Sequence, residues 1–185
     1  MKKVLVILAE GFEETEAVAP ADVLKRAGAR VVLAGLDALR VKGAHGIGIA
    51  AEVLLEDVEN ETFDAVFLPG GLPGATNLLA SETVGRILKA TAARGGVVAA
   101  ICAAPIVLAK HGLLDGRTFT MYPGFDKYLN GLVPTGRPAE RCGNVVTGKG
   151  PGAVFPFAKE LASALGIDAD EVFRGMFVTL PPQGA

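Results

Sequence analysis

Cys102 is the residue most clearly placed for chemistry, within the segment AAICAAP, where a predicted strand turns directly into a helix. A side chain on so tight a turn is pushed out of the sheet, as in the nucleophile elbow of hydrolases, here with alanines where hydrolases often have glycines. A thiol at a helix N-terminus lies near the positive end of the dipole, which predicts a lowered pKa and more thiolate. The alternative is a small buried hydrophobic residue, a common role for a free cysteine.

A glycine pair follows the predicted strand at residues 64–68. The PGG sequence of residues 69–71 carries Gly70 and Gly71, whose backbone N–H groups could face a bound anion or an oxyanion. The alternative is a turn that needs only a positive φ.

The acidic run EGFEETE supplies a carboxyl group. We interpret Glu10, Glu13 and Glu14 as solvated residues at the start of a helix, where carboxylates favour the dipole. Glu16 follows the first strand and is predicted at the same sheet edge as Cys102. A thiolate beside it would push this carboxyl towards its protonated form, able to donate a hydrogen bond to sulfur and to exchange protons with a substrate. The alternative for Glu16 is the same solvated role as its neighbours.

The elements that must position these residues alternate between strands and helices. Continuous apolar runs predict strands buried on both faces, amphipathic stretches predict helices, and a glycine-rich stretch predicts a hairpin over residues 40–52. The predicted strands cover residues 3–9, 30–34, 64–68, 96–101, 118–121 and 145–147; the predicted helices cover residues 13–27, 81–94, a stretch ending near 110, and 153–165. This alternation predicts a doubly wound, mainly parallel α/β fold, in which ligands bind beyond the carboxyl ends of the strands.

Composition narrows the class of protein. The chain has 185 residues with 50% hydrophobic and 21% charged residues, so we expect one domain spanning residues 1–185 and exclude a disordered chain. A net charge of -2 without basic blocks argues against nucleic-acid binding. The first apolar run stops at Glu10, too early for a signal peptide, and the longest one contains Pro105 and is shorter than the about 20 residues of a membrane span. Two cysteines fit a reducing compartment, so we expect a cytoplasmic protein.

The remaining motifs do not indicate a cofactor or a metal site. GNVVTGKG at residues 143–150 lacks the hydroxyl residue of a phosphate-binding loop, and no Gly-x-Gly-x-x-Gly opens a helix, so we expect no nucleotide cofactor. His45 and His111, with no clustered acids predicted around them, favour a surface role and a helix-capping role rather than a metal site. Cys142 has no partner motif and is predicted to be structural.

Taken together, EGFEETE, FLPGG, AAICAAP and GKGPGA, in this order and spacing, resemble the ThiJ/PfpI superfamily. More narrowly they are similar to the branch that contains the human parkinsonism-associated deglycase. The resemblance runs from Lys3 to about Leu165. It implies a flavodoxin-like sandwich, a homodimer, and activity on methylglyoxal-type aldehydes or early glycation adducts without a cofactor. It also implies oxidative-stress sensing and chaperone roles.

The resemblance assigns roles to particular residues. Cys102 would be the reactive thiol and Glu16 the carboxylic acid bonded to it, while backbone N–H groups of Gly70, Gly71 and Ala103 would form the anion pocket. In the protease-like branch a histidine follows the cysteine. Ala103 stands there in this chain, which removes the adjacent general base and argues against peptidase or glutaminase chemistry.

Three other positions bear on substrate preference rather than on the Cys102–Glu16 pair. The human member has a histidine where Tyr122 precedes Pro123, and arginine is found in the family near His45 and in place of Lys149.

Three function classes follow from these residues. The first is an enzyme in which the Cys102 thiolate adds to an aldehyde and Glu16 moves a proton. The second is a redox sensor or chaperone whose Cys102 is oxidised as far as sulfinic acid, because no resolving cysteine is evident. The third is a structural or binding module, which would require Cys102 to be inert.

Overall fold

A seven-stranded sheet forms the centre of the protein. The structure, a computed structural model, describes residues 1–180. Its strands are β1 (Lys3–Leu8), β2 (Arg30–Gly35), β3 (Arg40–Lys42), β4 (Gly48–Ala50), β5 (Val53–Leu54), β6 (Ala65–Leu68), β7 (Val97–Ile101), β8 (Ala139–Cys142) and β9 (Val145–Gly148). The order across the sheet is β5-β2-β1-β6-β7-β9-β8, and its pairings are parallel except that between β8 and β9.

Helices cover both faces of this sheet. They are α1 (Glu14–Arg26), α2 (Gly74–Ala80), α3 (Glu82–Ala93), α4 (Pro105–Lys110), α5 (Val154–Ala164) and α6 (Asp170–Gly175). Helix α1 packs against α5, whereas α2 packs against α3 and α4. Every residue from Val4 to Leu8 is buried, and because successive strand side chains point to opposite faces, both faces of β1 must be covered. The predicted doubly wound α/β fold is confirmed.

The chain places a binding crevice at a definite point of the sheet. From β1 it runs to β2 and β5 on one side, and then crosses to β6, β7 and β9 on the other. The strand order therefore reverses between β1 and β6, and in open α/β sheets ligands bind outside the carboxyl ends of the strands at such a switch point. The loops after β1 and β6 meet there, with the end of β7 beside them.

Most predicted elements agree with the structure to within two residues, including the hairpin, which pairs β3 antiparallel to β4. The predicted strand at residues 118–121 is wrong. The Thr120 N–H donates to the side chain of Thr147 (2.9 Å) and the Thr120 hydroxyl donates to the Arg137 carbonyl (2.7 Å). These side-chain bonds take the place of a ladder with a neighbouring strand.

Four short elements escaped prediction, namely β5, α2, β8 and α6. Helix α2 opens with glycine, and β8 (AERC) alternates little between apolar and polar residues. Within residues 1–180, every helix is too short or too polar to cross a membrane.

Candidate active site

Cys102 lies at a strained turn between β7 and α4. Its φ is 62°, in the left-handed region that non-glycine residues seldom adopt and that costs about 1–3 kcal/mol. Hydrogen bonds hold the residue on both sides, because its N–H donates to the Gly148 carbonyl (2.9 Å) and its carbonyl accepts from the Tyr122 N–H (2.9 Å). The predicted elbow is therefore present, with the side chain 9% exposed.

Glu16 is brought to Cys102 by the first turn of α1. The side chain of Glu13 caps this helix by accepting from the Glu16 N–H (2.7 Å). Glu16 is fully buried, its Oε2 accepts from the Gly70 N–H (2.8 Å), and its carboxyl lies beside the Cys102 side chain across Gly70. Its Oε1 is buried with no conventional hydrogen-bond partner among the described residues. The solvated alternative for Glu16 is excluded.

The paired glycines lie between these two side chains. A Cβ on Gly70 would lie 2.7 Å from the Cβ of Cys102 and 2.8 Å from Oε2 of Glu16, so only glycine fits this approach. Gly71 has a φ of 88°, which glycine adopts without strain. The backbone N–H groups of Gly71 and Ala103 face the sulfur and favour its ionised form, which opposes the rise of the thiol pKa.

This arrangement changes one predicted role. Gly70 was expected to contribute an N–H to an anion pocket, but that N–H is already donated to Glu16. Gly71 and Ala103 are left as the donors that face the sulfur. Gly70 instead ties the carboxyl to the loop after β6, and the Gly70 carbonyl in turn accepts from the Glu13 N–H (2.9 Å).

Burial dominates the electrostatics of the pair. It raises the pKa of Glu16 from 4.5 to about 7, and the Glu13 charge adds to the rise, while the bonds from Gly70 and Cys102 oppose it. Burial also raises the pKa of the Cys102 thiol to about 12, with the charge and hydrogen bond of Glu16 adding to it.

The predicted lowering of the thiol pKa by the helix dipole is thus wrong in direction, because burial outweighs the dipole of α4, a helix of only 6 residues. Two ionised groups in contact would repel, so the pair carries a single negative charge once the first proton is lost. Because the pKa of Glu16 lies below that of the thiol, this charge resides on Glu16, contrary to the predicted thiolate beside a protonated acid, and a thiolate forms only when its proton passes to Glu16.

Glu13 and Glu14 are buried, contrary to the prediction that they are solvated. Glu14 accepts at Oε1 from the His45 N–H (2.8 Å) and meets the His45 ring at Oε2 (2.8 Å), which anchors the β3–β4 hairpin to α1. Burial raises the pKa of Glu14, but its hydrogen bonds outweigh that effect and lower the pKa overall. The bond to Glu14 raises the pKa of His45, whose side chain is exposed as predicted. Glu10 is exposed, as predicted.

The prediction of no clustered acids around His45 is wrong, because Glu13, Glu14 and His45 place ligand atoms within 4.8 Å of one another, a spacing that a metal ion could use. Both Glu14 oxygens already accept bonds from the hairpin and Glu13 caps α1, so these contacts account for the cluster.

The remaining candidates lie outside the Cys102–Glu16 pair. His111 follows the last residue of α4, as predicted for a cap, and its ring lies over Gly85 of α3. Cys142 is a free thiol that ends β8. Cys142 pairs with Val145 at the start of β9, whereas Cys102 is hydrogen-bonded to Gly148 at the end of β9. The two cysteines therefore lie towards opposite ends of the strands. A disulfide between them would need the sheet to come apart.

Comparison with known proteins gives one consistent result. The profile of the DJ-1/PfpI family matches residues 2–164. The Drosophila melanogaster protein dj-1beta is 41% identical over 182 residues, covering 96% of this chain and 97% of that protein. Its crystal structure superposes with a TM-score of 0.91 at 40% identity, over 97% of this chain and 99% of that one.

Two relatives carry names that describe an activity. A Caenorhabditis elegans protein named glutathione-independent glyoxalase DJR-1.2 is 38% identical, over 89% of this chain and 89% of its own length. A Pyrococcus abyssi protein named a deglycase is 32% identical, over 88% of this chain and 99% of its own length.

The raised pKa of Glu16 predicts a pH-dependent effect of Glu16→Gln on stability. Between pH 4.5 and about 7 the folded protein keeps a proton that the unfolded chain loses, so stability falls as pH rises through this window. A glutamine has no charge to bury. We therefore expect Glu16→Gln to be more stable than the parent by about 1–3 kcal/mol above pH 7, with the difference shrinking towards zero near pH 4.5.

Thermal and denaturant unfolding across this pH range would measure the difference. The exposed Glu56 provides the matched control as Glu56→Gln, which should track the parent. A Glu16→Gln difference that stays constant with pH would show that Glu16 ionises at its ordinary pKa.

Proposed function

The chain belongs to the DJ-1/PfpI family, and from this membership and the geometry of its site we propose that it is a cysteine-dependent glyoxalase that needs no cofactor. Its substrates would be methylglyoxal-type α-oxoaldehydes, free or released from early glycation adducts. The observation that carries the proposal is the contact between the Cys102 thiol and a buried carboxyl of raised pKa. A carboxyl that titrates near neutral pH can both give and take a proton under working conditions. The names of the two glyoxalase and deglycase relatives agree with it.

The first step joins substrate to enzyme. The sulfur of Cys102 adds to the aldehyde carbon and forms a C–S bond, while the carbonyl oxygen takes up a proton, giving a hemithioacetal. The thiol proton passes to Glu16 as the nucleophile forms, and Glu16 then gives this proton to the carbonyl oxygen, which leaves Glu16 as the carboxylate. The N–H groups of Gly71 and Ala103, which face the sulfur, are placed beside the oxygen that gains charge during addition.

The second step moves hydrogen between adjacent carbons. The Glu16 carboxylate removes the proton of the former aldehyde carbon to give an enediol, and then returns a proton to the former ketone carbon. The first carbon is thereby oxidised to a thioester and the second is reduced to an alcohol, so no external oxidant or reductant is needed. Water then cleaves the thioester, releases the 2-hydroxy acid and restores the thiol.

Peptidase chemistry is disfavoured by the residue after the nucleophile. Ala103 is buried there and cannot act as a base. Glu16 is the ionisable side chain beside the thiol, which suits proton transfer on a small bound aldehyde.

We predict that both members of the pair are required for the conversion of methylglyoxal to lactate. Cys102→Ser should abolish turnover, because serine at this site is a far weaker nucleophile. Glu16→Gln should lower kcat by about 10²–10⁴-fold, the usual contribution of a general acid–base group. Lactate formation, measured by coupled assay or chromatography, provides the readout.

Matched controls are available for both variants. Cys142→Ser removes the other cysteine and Glu56→Gln an exposed carboxyl, and both should retain full turnover. Equal rates in the parent, Cys102→Ser and Glu16→Gln would eliminate the enzymatic proposal.

Oxidation of Cys102 is the second candidate function. Its supporting observation is that Cys142, the other cysteine, lies towards the opposite end of the strands. A sulfenic acid on Cys102 therefore has no resolving thiol within the chain. Peroxide would convert the thiol to sulfenic acid and a second equivalent would give sulfinic acid, each releasing one water. Such a protein would act as an oxidative-stress sensor or as a redox-controlled chaperone.

We predict that mild peroxide adds two oxygens to Cys102. The Gly71 and Ala103 N–H groups would hold the sulfinate, and a protonated Glu16 would donate to it. Mass spectrometry should therefore show slower accumulation of this form in Glu16→Gln. Oxidation confined to the methionines, or to Cys142, would contradict this role.

A homodimer is the assembly that we propose. Val18 of α1 is 52% exposed and Ile47 of the β3–β4 hairpin is 63% exposed. Between α1 and the hairpin lies an apolar groove of about 280 Å³, lined by residues that include Leu8, Ala21 and Ile49. Burial of this face in a second copy would remove apolar surface from water. We also infer a cytoplasmic location, from the low cysteine content.

We predict that the parent sediments at twice the 19.0 kDa of one chain. Val18→Asp should shift it towards the monomer, because a buried unpaired charge is costly. Val133→Asp, at an apolar residue 81% exposed elsewhere, provides the control and should leave the dimer intact. Sedimentation of the parent as a monomer at micromolar concentration would refute the dimer.

A further inference from the structure

We propose that a groove beside Cys102 binds the body of an aromatic α-oxoaldehyde, and that Lys149 favours those carrying a terminal carboxylate. This inference rests on the proposed function and specifies its substrate class. The groove has a volume of about 410 Å³ and is lined by Tyr122, Pro123, Pro138, Lys149, Pro151 and neighbouring small residues.

The walls of the groove are joined to the backbone of Cys102. Tyr122 donates its N–H to the Cys102 carbonyl (2.9 Å), and the Cys102 N–H is donated to Gly148, the residue before Lys149. A further bond, from the Lys149 N–H to the Pro138 carbonyl (2.9 Å), closes the wall. Two walls of the groove are therefore anchored to the backbone of the residue that carries the nucleophile.

The lining suits a flat apolar group. The Tyr122 ring is about half exposed and lies over Gly150, where an added Cβ would be 3.2 Å from the ring. Three prolines face the same space, and they contribute apolar ring surface without a backbone N–H. Aromatic groups bind well on such surfaces by offset stacking. The volume falls in the range of about 300–1,000 Å³ that is typical of pockets for much larger ligands than a three-carbon aldehyde.

The charge of the lining points to an anionic group. Lys149 is exposed and forms no ion pair within the described part of the chain, and the lining contains no acidic residue. The neighbouring cation Arg137 is already paired with Glu140 (3.4 Å). Among the described residues of this lining, Lys149 is thus the unpaired cation available to bind a carboxylate on the substrate. The resulting ion pair would be partly exposed, so its contribution to binding would be modest.

Three substrates separate these contributions: methylglyoxal, phenylglyoxal and para-carboxyphenylglyoxal. Each is converted by the same internal oxidation and reduction, with water, to the corresponding 2-hydroxy acid. Initial rates of product formation, measured by chromatography, give kcat/KM for each. In the parent we expect the order para-carboxyphenylglyoxal, phenylglyoxal, methylglyoxal, from highest to lowest.

Two variants test the two parts of the proposal. Tyr122→Ala should lower the ratio of kcat/KM for phenylglyoxal to that for methylglyoxal by about three- to tenfold, and Tyr122→Phe should restore it. Lys149→Gln should lower the ratio for para-carboxyphenylglyoxal to phenylglyoxal by about three- to fivefold. High salt should lower the same ratio in the parent, because it screens the ion pair.

Lys89→Gln is the matched control, since it removes an exposed lysine of α3 that does not line the groove. It should keep both ratios. If methylglyoxal is converted but the ratios do not respond to Tyr122→Ala or Lys149→Gln, this inference fails and the proposed function stands. If none of the three aldehydes is converted by the parent, the proposed function fails and takes this inference with it.

Discussion

The juxtaposition of the buried Glu16 carboxyl and the Cys102 thiol is the interaction on which the site depends. Neither group contributes to the stability of the fold when it is ionised. Burial disfavours the charged form of each and so raises both pKa values, and a negative charge on one group disfavours a negative charge on the other. The surrounding structure must therefore hold them together. It does so through the Gly70 N–H on Glu16, the Gly71 and Ala103 N–H groups on the sulfur, and a left-handed backbone at Cys102. Such concentrations of strain and unfavourable burial are typical of functional sites.

The sheet explains why these groups meet. β6 is paired with β1 on one side and with β7 on the other, so the loops after three adjacent strands converge at one edge. The first turn of α1, which follows β1, supplies Glu16, and the end of β7 supplies Cys102. The loop after β6 supplies Gly70, which must be glycine for the other two to approach. A parallel sheet is needed for this convergence, since antiparallel neighbours would send alternate loops to opposite edges.

The sequence was informative where local signals are strong. Buried strands appear as continuous apolar runs, so β1, β6 and β7 were predictable, and the position of Cys102 and Glu16 at one edge followed from the parallel order. The burial of Glu13 and Glu14 was not predictable, because it depends on contacts with Gly70 and with the distant hairpin. The direction of the Cys102 pKa shift was missed for the same reason. A helix dipole can be inferred from local sequence, whereas desolvation depends on what folds over the residue.

The residues on the two sides of Cys102 differ in how far they can be substituted without disturbing the site. On the side of α1 and the loop after β6, close packing leaves Gly70 and Glu16 almost no freedom to vary. On the other side, Tyr122 and Lys149 are exposed, and the backbone bonds that join this wall to Cys102 come from the Tyr122 N–H and the Gly148 carbonyl, which every residue except proline at position 122 would preserve. Substitution at these two positions can therefore change the lining of the groove without moving the Cys102–Glu16 pair. Under the proposed function, this separation would let one arrangement of thiol, acid and backbone N–H groups serve aldehydes of different size and charge.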